Sequence, residues 1–579
     1  MGASKPFRPP NSILIIGSGV FGLSTALHLT SQRDFAKSTI TILDRSPEDG
    51  VFPARDASSI DSSRIIRADY ADPAYARLAA EAAHHWRQQA PHELGGEGRY
   101  TESGLFLVAN RDGTPGLGYT QKSWINAMAI ANADGGRGPM SVRVGNYGNQ
   151  IQMMTAAGGV IGNWGYLNDA SGWADATASM HWLYEKVVAT GRVKFVNGTA
   201  ERLDVKSPIF ALPGVLDNKP RVVGAILEDG TKLSADLTIV ATGAWTPSLL
   251  DLQGQAVATG QMVAYLDITE EEQARLNDIP VLLNLSTGFF IIPPRDRVLK
   301  VARHSYGYLN PTEVPTPLGM SSKSAPLEQI TETSPTTNGT TEVSSSTSSN
   351  NKVKVSKPRT HLSHPPATPT TSHLPPDGEA QLRAALKLFL PWMADADTRP
   401  FRETRLCWYT DTASGDWIID YHPSYSGLFV ATGGSGHAFK FLPILGEKVV
   451  GCLRGSYPAE FANKWRWRGK QGLGDGDAEK TIMTEDGSRG GVPGLVLEDE
   501  LARTTAAVGA AGATEEENKK RLGGSSPAVS DAGQAWLVKP SWSSLAGLVS
   551  RFIFPNEGTS HGQGTQHVST ATPQRRNIV

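Results

Sequence analysis

The sequence predicts an α/β fold, α+β overall, in which a parallel sheet flanked by helices is joined to a second, mixed or antiparallel sheet. Three observations carry that expectation. Residues 12–44 read as strand, glycine-rich turn, helix and strand. Two later apolar runs, at residues 237–241 and 428–431, end on the small-residue turns Thr242-Gly243-Ala244 and Thr432-Gly433-Gly434. With two polar, low-complexity stretches set aside, roughly 390 residues remain, enough for two domains.

The first unit is the most specific. Ile13 to Ile16 is a continuous apolar run, residues 20–31 carry apolar side chains at helical spacing, and Thr39 to Leu43 is β-rich and ends on Asp44. Between strand and helix, Gly17-Ser18-Gly19-Val20-Phe21-Gly22 fits G-x-G-x-x-G. The pattern alone says little in a chain with 60 glycines; its place in a strand–turn–helix makes it informative. Gly17 makes the tight turn, Gly19 lets backbone approach a pyrophosphate, and Gly22 lets helix pack on strand. The helix N-terminus, opened by Val20 and Phe21, offers unpaired N–H groups and a positive dipole to phosphates. Asp44, with Arg45 beside it, stands where a carboxylate accepts ribose hydroxyls.

Further along, helices are expected over 72–90 and 174–190, and strands at 193–195, 222–227 and 237–241. Residues 311–373 are dense in Ser, Thr and Pro. Such a stretch buries too little apolar surface to offset the entropy of ordering, so it is expected to be a disordered insertion. A helix follows over 379–391, then a structured block over 400–466. Residues 467–579 are expected to be a largely disordered tail, with a short amphipathic helix at 541–554. The domain expectation is therefore discontinuous: residues 10–105, 168–250 and 400–466 bind the nucleotide, and 106–167, 251–310 and 374–399 form the substrate domain.

Composition removes several functions. Lys and Arg number 55 against 57 Asp and Glu, so no basic excess exists to hold nucleic acid. The two cysteines, Cys407 and Cys452, can build neither a disulfide framework nor a cysteine-based metal site, and no metal is expected. No apolar run reaches the ~18 residues of a membrane span. The N-terminus lacks a signal-peptide pattern, Pro6 stands where a myristoylation site wants Ser or Thr, and the C-terminal Asn577-Ile578-Val579 is no peroxisomal tripeptide. A cytoplasmic monomer is the expectation.

Three strand-to-glycine motifs spread over the chain suit one extended FAD better than one NAD. With Thr238–Trp245 and Leu428–His437 in view, the chain resembles the flavoenzyme family of D-amino-acid oxidase type. Within it, the likeness is to monomeric sarcosine oxidase, pipecolate and saccharopine oxidases, and fungal fructosyl-amino-acid oxidases, over residues 12–310 and 374–455. The resemblance implies a Rossmann-type FAD-binding domain and a second, substrate domain. By it, the cofactor-binding set is Gly17, Gly19, Val20, Phe21, Gly22, Asp44, Arg45, Ser63, Arg64, Thr242, Gly243, Cys407, Gly434, Gly436, His437 and Lys440.

Four segments carry the likeness, and each implies roles. In Ser62-Ser63-Arg64-Ile65-Ile66-Arg67, Arg64 lies against the flavin and Arg67 faces the substrate carboxylate. A guanidinium suits that task because it grips a carboxylate with two parallel hydrogen bonds and stays charged when desolvated. In Leu299-Lys300-Val301-Ala302-Arg303-His304, Lys300 speeds the reaction with oxygen and His304 belongs to the substrate side. In Arg405-Leu406-Cys407-Trp408-Tyr409, the resemblance makes Cys407 a covalent flavin attachment. In Gly434 to Pro443, Lys440 joins Arg67 in a two-cation clamp for a carboxylate. Lys300, His304 and Arg64 are thus the expected catalytic residues, and Arg67 and Lys440 the substrate-binding ones.

Departures are visible. Ile60 stands where sarcosine oxidase has a histidine, and the aromatic pocket residue has no clear counterpart, with Gly288-Phe289-Phe290-Ile291 the region to search. Fructosyl-amino-acid oxidases tend to have lysine at the place of Arg64 and lack an Arg67 equivalent, so the arginine pair tilts the expectation to sarcosine, pipecolate or saccharopine chemistry. The expected reaction is oxidation of a secondary amine or N-substituted amino acid by FAD and O2, giving an imine and hydrogen peroxide. Alternatives are a fructosyl-amino-acid oxidase, a tailoring oxidase of secondary metabolism, a flavin dehydrogenase with another acceptor, and a non-enzymatic flavin-binding regulator.

Overall fold

Every second residue of the strand Ser12–Ile16 enters a different core, and that alternation organises the nucleotide-binding half. The structure, a computed structural model, describes residues 7–46, 52–111, 113–133, 158–159, 161–207, 219–320, 352–359, 374–469 and 482–503. Ser12–Ile16 lies inside a six-stranded sheet, between Leu237–Val240 and Thr39–Asp44, with Val193–Asn197 beyond one neighbour and Leu428–Thr432 and Ile418–Tyr421 beyond the other. All pairs are parallel except the last, Ile418–Tyr421 with Leu428–Thr432. Ile13 and Ile15 join a core with helices Val20–Ser31, Pro73–Trp86, Ala176–Ala189 and Leu442–Leu453. Leu14 and Ile16 face a second core, roofed by the antiparallel strands Ala200–Lys206, Arg221–Leu227 and Lys232–Ser234. Side chains alternating to both faces, each buried, explain why these strands read as unbroken apolar runs.

The first helix crosses closely over Leu442–Leu453. A Cβ on Gly446 would stand 1.9 Å from the Ser24 carbonyl oxygen, so glycine sets that approach. Helix Pro73–Trp86 starts where Asp72 accepts from the N–H groups of Ala74 and Tyr75, with proline in its first turn.

The second half is a nine-stranded mixed sheet. Its spine is Ala256–Asp267, paired antiparallel with Val298–Arg303 on one side and with Glu403–Thr412 on the other. The second pairing runs from Ala256 opposite Thr412 to Tyr265 opposite Glu403. The helix Pro376–Phe389 packs its apolar stripe on this sheet. A small sheet of Arg64–Ile66, Gly172–Ala174 and Tyr100–Thr101 carries the arginine segment.

Three expectations are corrected. Residues 400–466 are expected wholly in the nucleotide-binding half, yet Glu403–Thr412 pairs with Ala256–Asp267 in the larger sheet. Sheet membership follows register, which neighbouring sequence does not reveal. The insertion expected at 311–373 is ordered in two segments: Pro311–Pro315 pairs antiparallel with Lys352–Ser356, Val314 is buried, and the Trp408 indole donates to Arg359 O at 3.0 Å. The alternating Lys352-Val353-Lys354-Val355 supplies a strand's period inside a polar composition. Residues 321–351 and 360–373 lie outside the described residues.

The tail expected from 467 is also ordered in part. Trp467 N donates to Asp420, Leu495–Val496 pairs with Tyr308–Leu309, and Leu497 sits in the core. An irregular segment anchored by a few leucines and a buried arginine, Arg489, has no periodicity to read. The helix expected at 541–554 falls outside the described residues, as does all of a second unit, residues 519–579. Helix Pro115–Ala133 was not anticipated. Among the described residues no helix is long and apolar enough to cross a membrane, and no His/Cys/Asp/Glu group could hold a metal.

Candidate functional site

The glycine turn opens onto a cavity of about 330 Å³ between the two sheets' edges. Of the sequence-predicted cofactor residues, the structure puts Gly17, Gly19, Val20, Phe21, Asp44, Arg45, Arg64, Thr242, Gly243, Gly434, Gly436 and His437 on its wall. Gly17 has φ +105°, and a Cβ there would stand 2.5 Å from Ala241 O. A Cβ on Gly19 would meet nothing within 4 Å, because that position faces the open cavity. Gly22 is not on the wall: its Cβ would collide with Gly17 O at 1.9 Å, so it serves the close packing of helix under turn.

Asp44 ends its strand inside the cavity and accepts from Ser18 N at 2.7 Å, Ser18 Oγ at 2.6 Å and Arg45 N at 2.8 Å. Burial raises its carboxyl pKa despite these donors. Arg45 lies over the Trp245 ring at 4.4 Å and pairs with Asp56 at 2.5 Å. Three buried wall oxygens, Asp56 Oδ1, Ser59 Oγ and Ser248 Oγ, have no hydrogen-bond partner among the described residues. Buried polar atoms rarely stay unpaired, so this wall suits a ligand rich in hydroxyl and amide groups. The described segments of the insertion add Val314, Pro315 and Lys357 to the same wall.

At the far end, past Arg64 and Tyr409, register gathers the chemistry. Tyr265 pairs with Lys300 on one side, Gln261 with Cys407 and Val263 with Arg405 on the other. Directly opposed residues share a face, so Tyr265, Lys300, Arg405, Cys407 and Tyr409 stand together. Arg64 Nη2 is 3.3 Å from Cys407 Sγ and also donates to Ser58 O. Ser63 is off the wall; its carbonyl accepts from Lys300 Nζ at 2.8 Å. Phe290 packs half-buried beside Cys407 and Tyr409.

The expected substrate cations come together. Lys440 Nζ donates to Tyr70 Oη at 2.8 Å and His437 O at 3.0 Å, and the Arg67 guanidinium lies 4.9 Å over the Tyr70 ring. Both cations are buried, and Arg67 Nη1 has no partner among the described residues. Burial, and then the charge of Arg67, hold the Lys440 pKa well below its usual value. The two histidines stay neutral: burial, then Arg489, depresses His304, and burial, then Lys440, depresses His437. His437 Nε2 lies 2.8 Å from Gly415 O, an acceptor, so Nε2 carries the proton and Nδ1 accepts from Tyr70 Oη at 3.1 Å.

Comparison with known proteins decides the family. A model of the DAO family, described as FAD dependent oxidoreductase, matches residues 12–451. The chain belongs to this family of FAD-dependent oxidoreductases. It is 32% identical over 478 residues to amino acid oxidase imqH of Aspergillus flavus, covering 76% of this chain and 92% of that protein. It is 28% identical to L-saccharopine oxidase of Schizosaccharomyces pombe, covering 79% and 93%. The solved fructosyl peptide oxidase of E. terrenum superposes with a TM-score of 0.61 at 25% identity, covering 85% of this chain and 97% of that one. The cavity and its unpaired oxygens fit the family's FAD, and this FAD-dependent oxidoreductase is an enzyme of amine-oxidase type.

Two site features escaped the sequence reading. Asp61 accepts from Lys300 and Arg64 at once. Arg489 comes from the supposed tail: its Nη2 donates to Asp411 at 2.6 Å and Ser435 O at 3.0 Å, and its Nη1 lies 3.3 Å from His304 Nδ1. Arg489 is always a donor, so His304 Nδ1 accepts and Nε2 carries that ring's proton.

Proposed function

We propose that this enzyme oxidises the C–N bond of a secondary amine or N-substituted amino acid of sarcosine, pipecolate or saccharopine kind, forming an imine and hydrogen peroxide. The observation that supports this most is Arg67 Nη1, a buried guanidinium N–H without a partner among the described residues, next to a second buried cation. Such an arrangement asks for an anion, and a carboxylate answers both cations. The names of the relatives, amino acid oxidase and L-saccharopine oxidase, agree with a substrate that carries one.

When bound, FAD supplies the acceptor for the substrate's two electrons and delivers them to O2. The chain's own residues do the rest. Gly17, Gly19 and the helix they open would hold the pyrophosphate, and Asp44 the ribose. Arg67 and Lys440 bind the carboxylate, and Tyr70, bonded to Lys440 and stacked under Arg67, fixes the distance between them. Fixing the substrate by its carboxylate orients the C–H to be broken. His304, with Nδ1 taken by Arg489, offers Nε2–H as a donor to the substrate. Lys300 places a cation where negative charge develops on oxygen. Cys407, whose sulfur lies 3.3 Å from Arg64 Nη2, would hold the flavin through a thioether.

A second reading, oxidation of a fructosyl amino acid, draws on the likeness to fructosyl peptide oxidase. One experiment separates them: anaerobic bleaching of the flavin by sarcosine, pipecolate, saccharopine, proline, fructosyl-valine and fructosyl-lysine. The secondary amino acids are expected to bleach it and the fructosyl compounds not. Bleaching by none of the carboxylate-bearing amines sinks both readings. After acid precipitation, the yellow colour is expected to stay in the pellet of the parent enzyme and to pass to the supernatant of Cys407→Ser. A colourless parent pellet rules out the thioether.

A further inference from the structure

Asp61 is fully buried, and every one of its acceptor directions is occupied. Its Oδ2 accepts from Lys300 Nζ at 2.7 Å and from Arg64 Nη1; its Oδ1 accepts from Tyr265 Oη at 2.7 Å and Ser62 N at 2.7 Å. Its backbone is fixed as well, because the carbonyl accepts from Thr177 N and Thr177 Oγ1 at the start of helix Ala176–Ala189. A carboxylate held this firmly on a loop cannot follow a moving partner, so the partners must come to it. Lys300 does: two of its three N–H groups go to Asp61 Oδ2 and Ser63 O, and the third has no partner among the described residues.

We infer that Asp61 is a positioning residue for the oxygen half-reaction: it is the fixed counter-ion that aims the Lys300 ammonium and keeps its proton on. This rests on the role proposed for Lys300 above and extends it to the group that sets its charge. The electrostatics agree. Burial alone would raise the Asp61 carboxyl, but Arg64, Lys300 and Arg405 hold it well below the carboxylate range. Burial pulls Lys300 down to about 8, with Asp61 opposing and Arg64 assisting that fall. The titratable groups facing the pair are Arg64 from its own segment, Tyr265 from the spine strand, and Arg405, Cys407 and Tyr409 from Glu403–Thr412. Among the described residues, Asp61 is the carboxylate that Lys300 contacts. Without it, the ammonium faces Arg64 in a buried site with no paired carboxylate to hold its proton.

The sign is definite. In Asp61→Asn the Lys300 titration moves to lower pH by about 1–3 units, the usual effect of an opposite charge at this range. In Tyr265→Phe, Asp61 loses a donor and turns more of its charge on Lys300, so the titration moves up. The holoenzyme labelled with 13Cε-lysine reads this directly, with the Lys300 signal identified by its disappearance in Lys300→Met. The midpoint of the pH profile for reoxidation by O2 is expected to shift with it in each variant. An unchanged Lys300 midpoint in a folded Asp61→Asn, or in Tyr265→Phe if that is the variant that folds, overturns the inference. If the lysine signal shifts as expected but the reoxidation profile does not move, the role of Lys300 itself fails.

Discussion

Replacing Arg67 by methionine is expected to raise KM for a carboxylate-bearing amine and to lower kcat/KM by roughly 30- to 5000-fold, the equivalent of about 2–5 kcal/mol for removing one partner of a buried charge pair. Methionine fills most of the volume over Tyr70 and Tyr119 that the guanidinium now covers, so the change removes charge and hydrogen bonds rather than packing. The carboxylate keeps its charge throughout the reaction. Its grip is therefore equal in ground and transition states, and the loss falls on KM more than on kcat. Lysine at the same position is not expected to rescue, because an ammonium cannot match the two-pronged geometry. Arg67 also lowers the Lys440 pKa. Carboxylate binding in the parent should weaken as pH rises through that pKa, and in Arg67→Met the midpoint should move to higher pH. Steady-state kinetics with a substrate and with the same amine lacking its carboxylate make the check. An equal loss for both would remove the carboxylate from the argument.

That expectation was legible early because its residues sit in contiguous, chemically marked segments. The turn from Gly17 to Gly22 follows local rules of φ and close approach, and Arg64 and Arg67 share one short run. What sequence could not show depends on register. Asp61 meets Lys300 across 239 positions and Tyr265 across 204. Nothing at Asp61 marks it as more than a polar loop residue until Ala256–Asp267 pairs with Val298–Arg303. The place of Glu403–Thr412 is hidden for the same reason: its partner is 152 residues away at Asp411 and Thr259. Arg489 was hidden differently. It is held by side-chain contacts to Asp411, Ser435 and His304 in an irregular segment, and such contacts leave no periodic trace. The paired segments of the insertion are the one case where a readable signal, the Lys-Val alternation at 352–355, is outweighed by composition.

Lys300→Met should divide the two half-reactions. Reoxidation of the reduced enzyme by O2 is expected to slow by about 10²–10³-fold, the scale for loss of one preorganised electrostatic contact at a centre of developing charge. Reduction by substrate is expected to change little, because Arg67 and Lys440, not Lys300, hold the carboxylate in the reading above. The contrast follows from when charge appears: O2 gains negative charge only as it receives an electron, whereas the amine's carboxylate is charged from the start. The ammonium is 4% exposed and bonded to Asp61 and Ser63, so its position is set before oxygen arrives and costs no reorganisation at that step. Methionine leaves Asp61 with Arg64, Tyr265 and Ser62, so the carboxylate keeps partners and the fold should survive; a melting curve checks this. Stopped-flow measurement of each half-reaction decides the matter. Equal slowing of both would make Lys300 a structural residue, and an enzyme whose reoxidation by O2 is already slow with Lys300 in place would be a dehydrogenase.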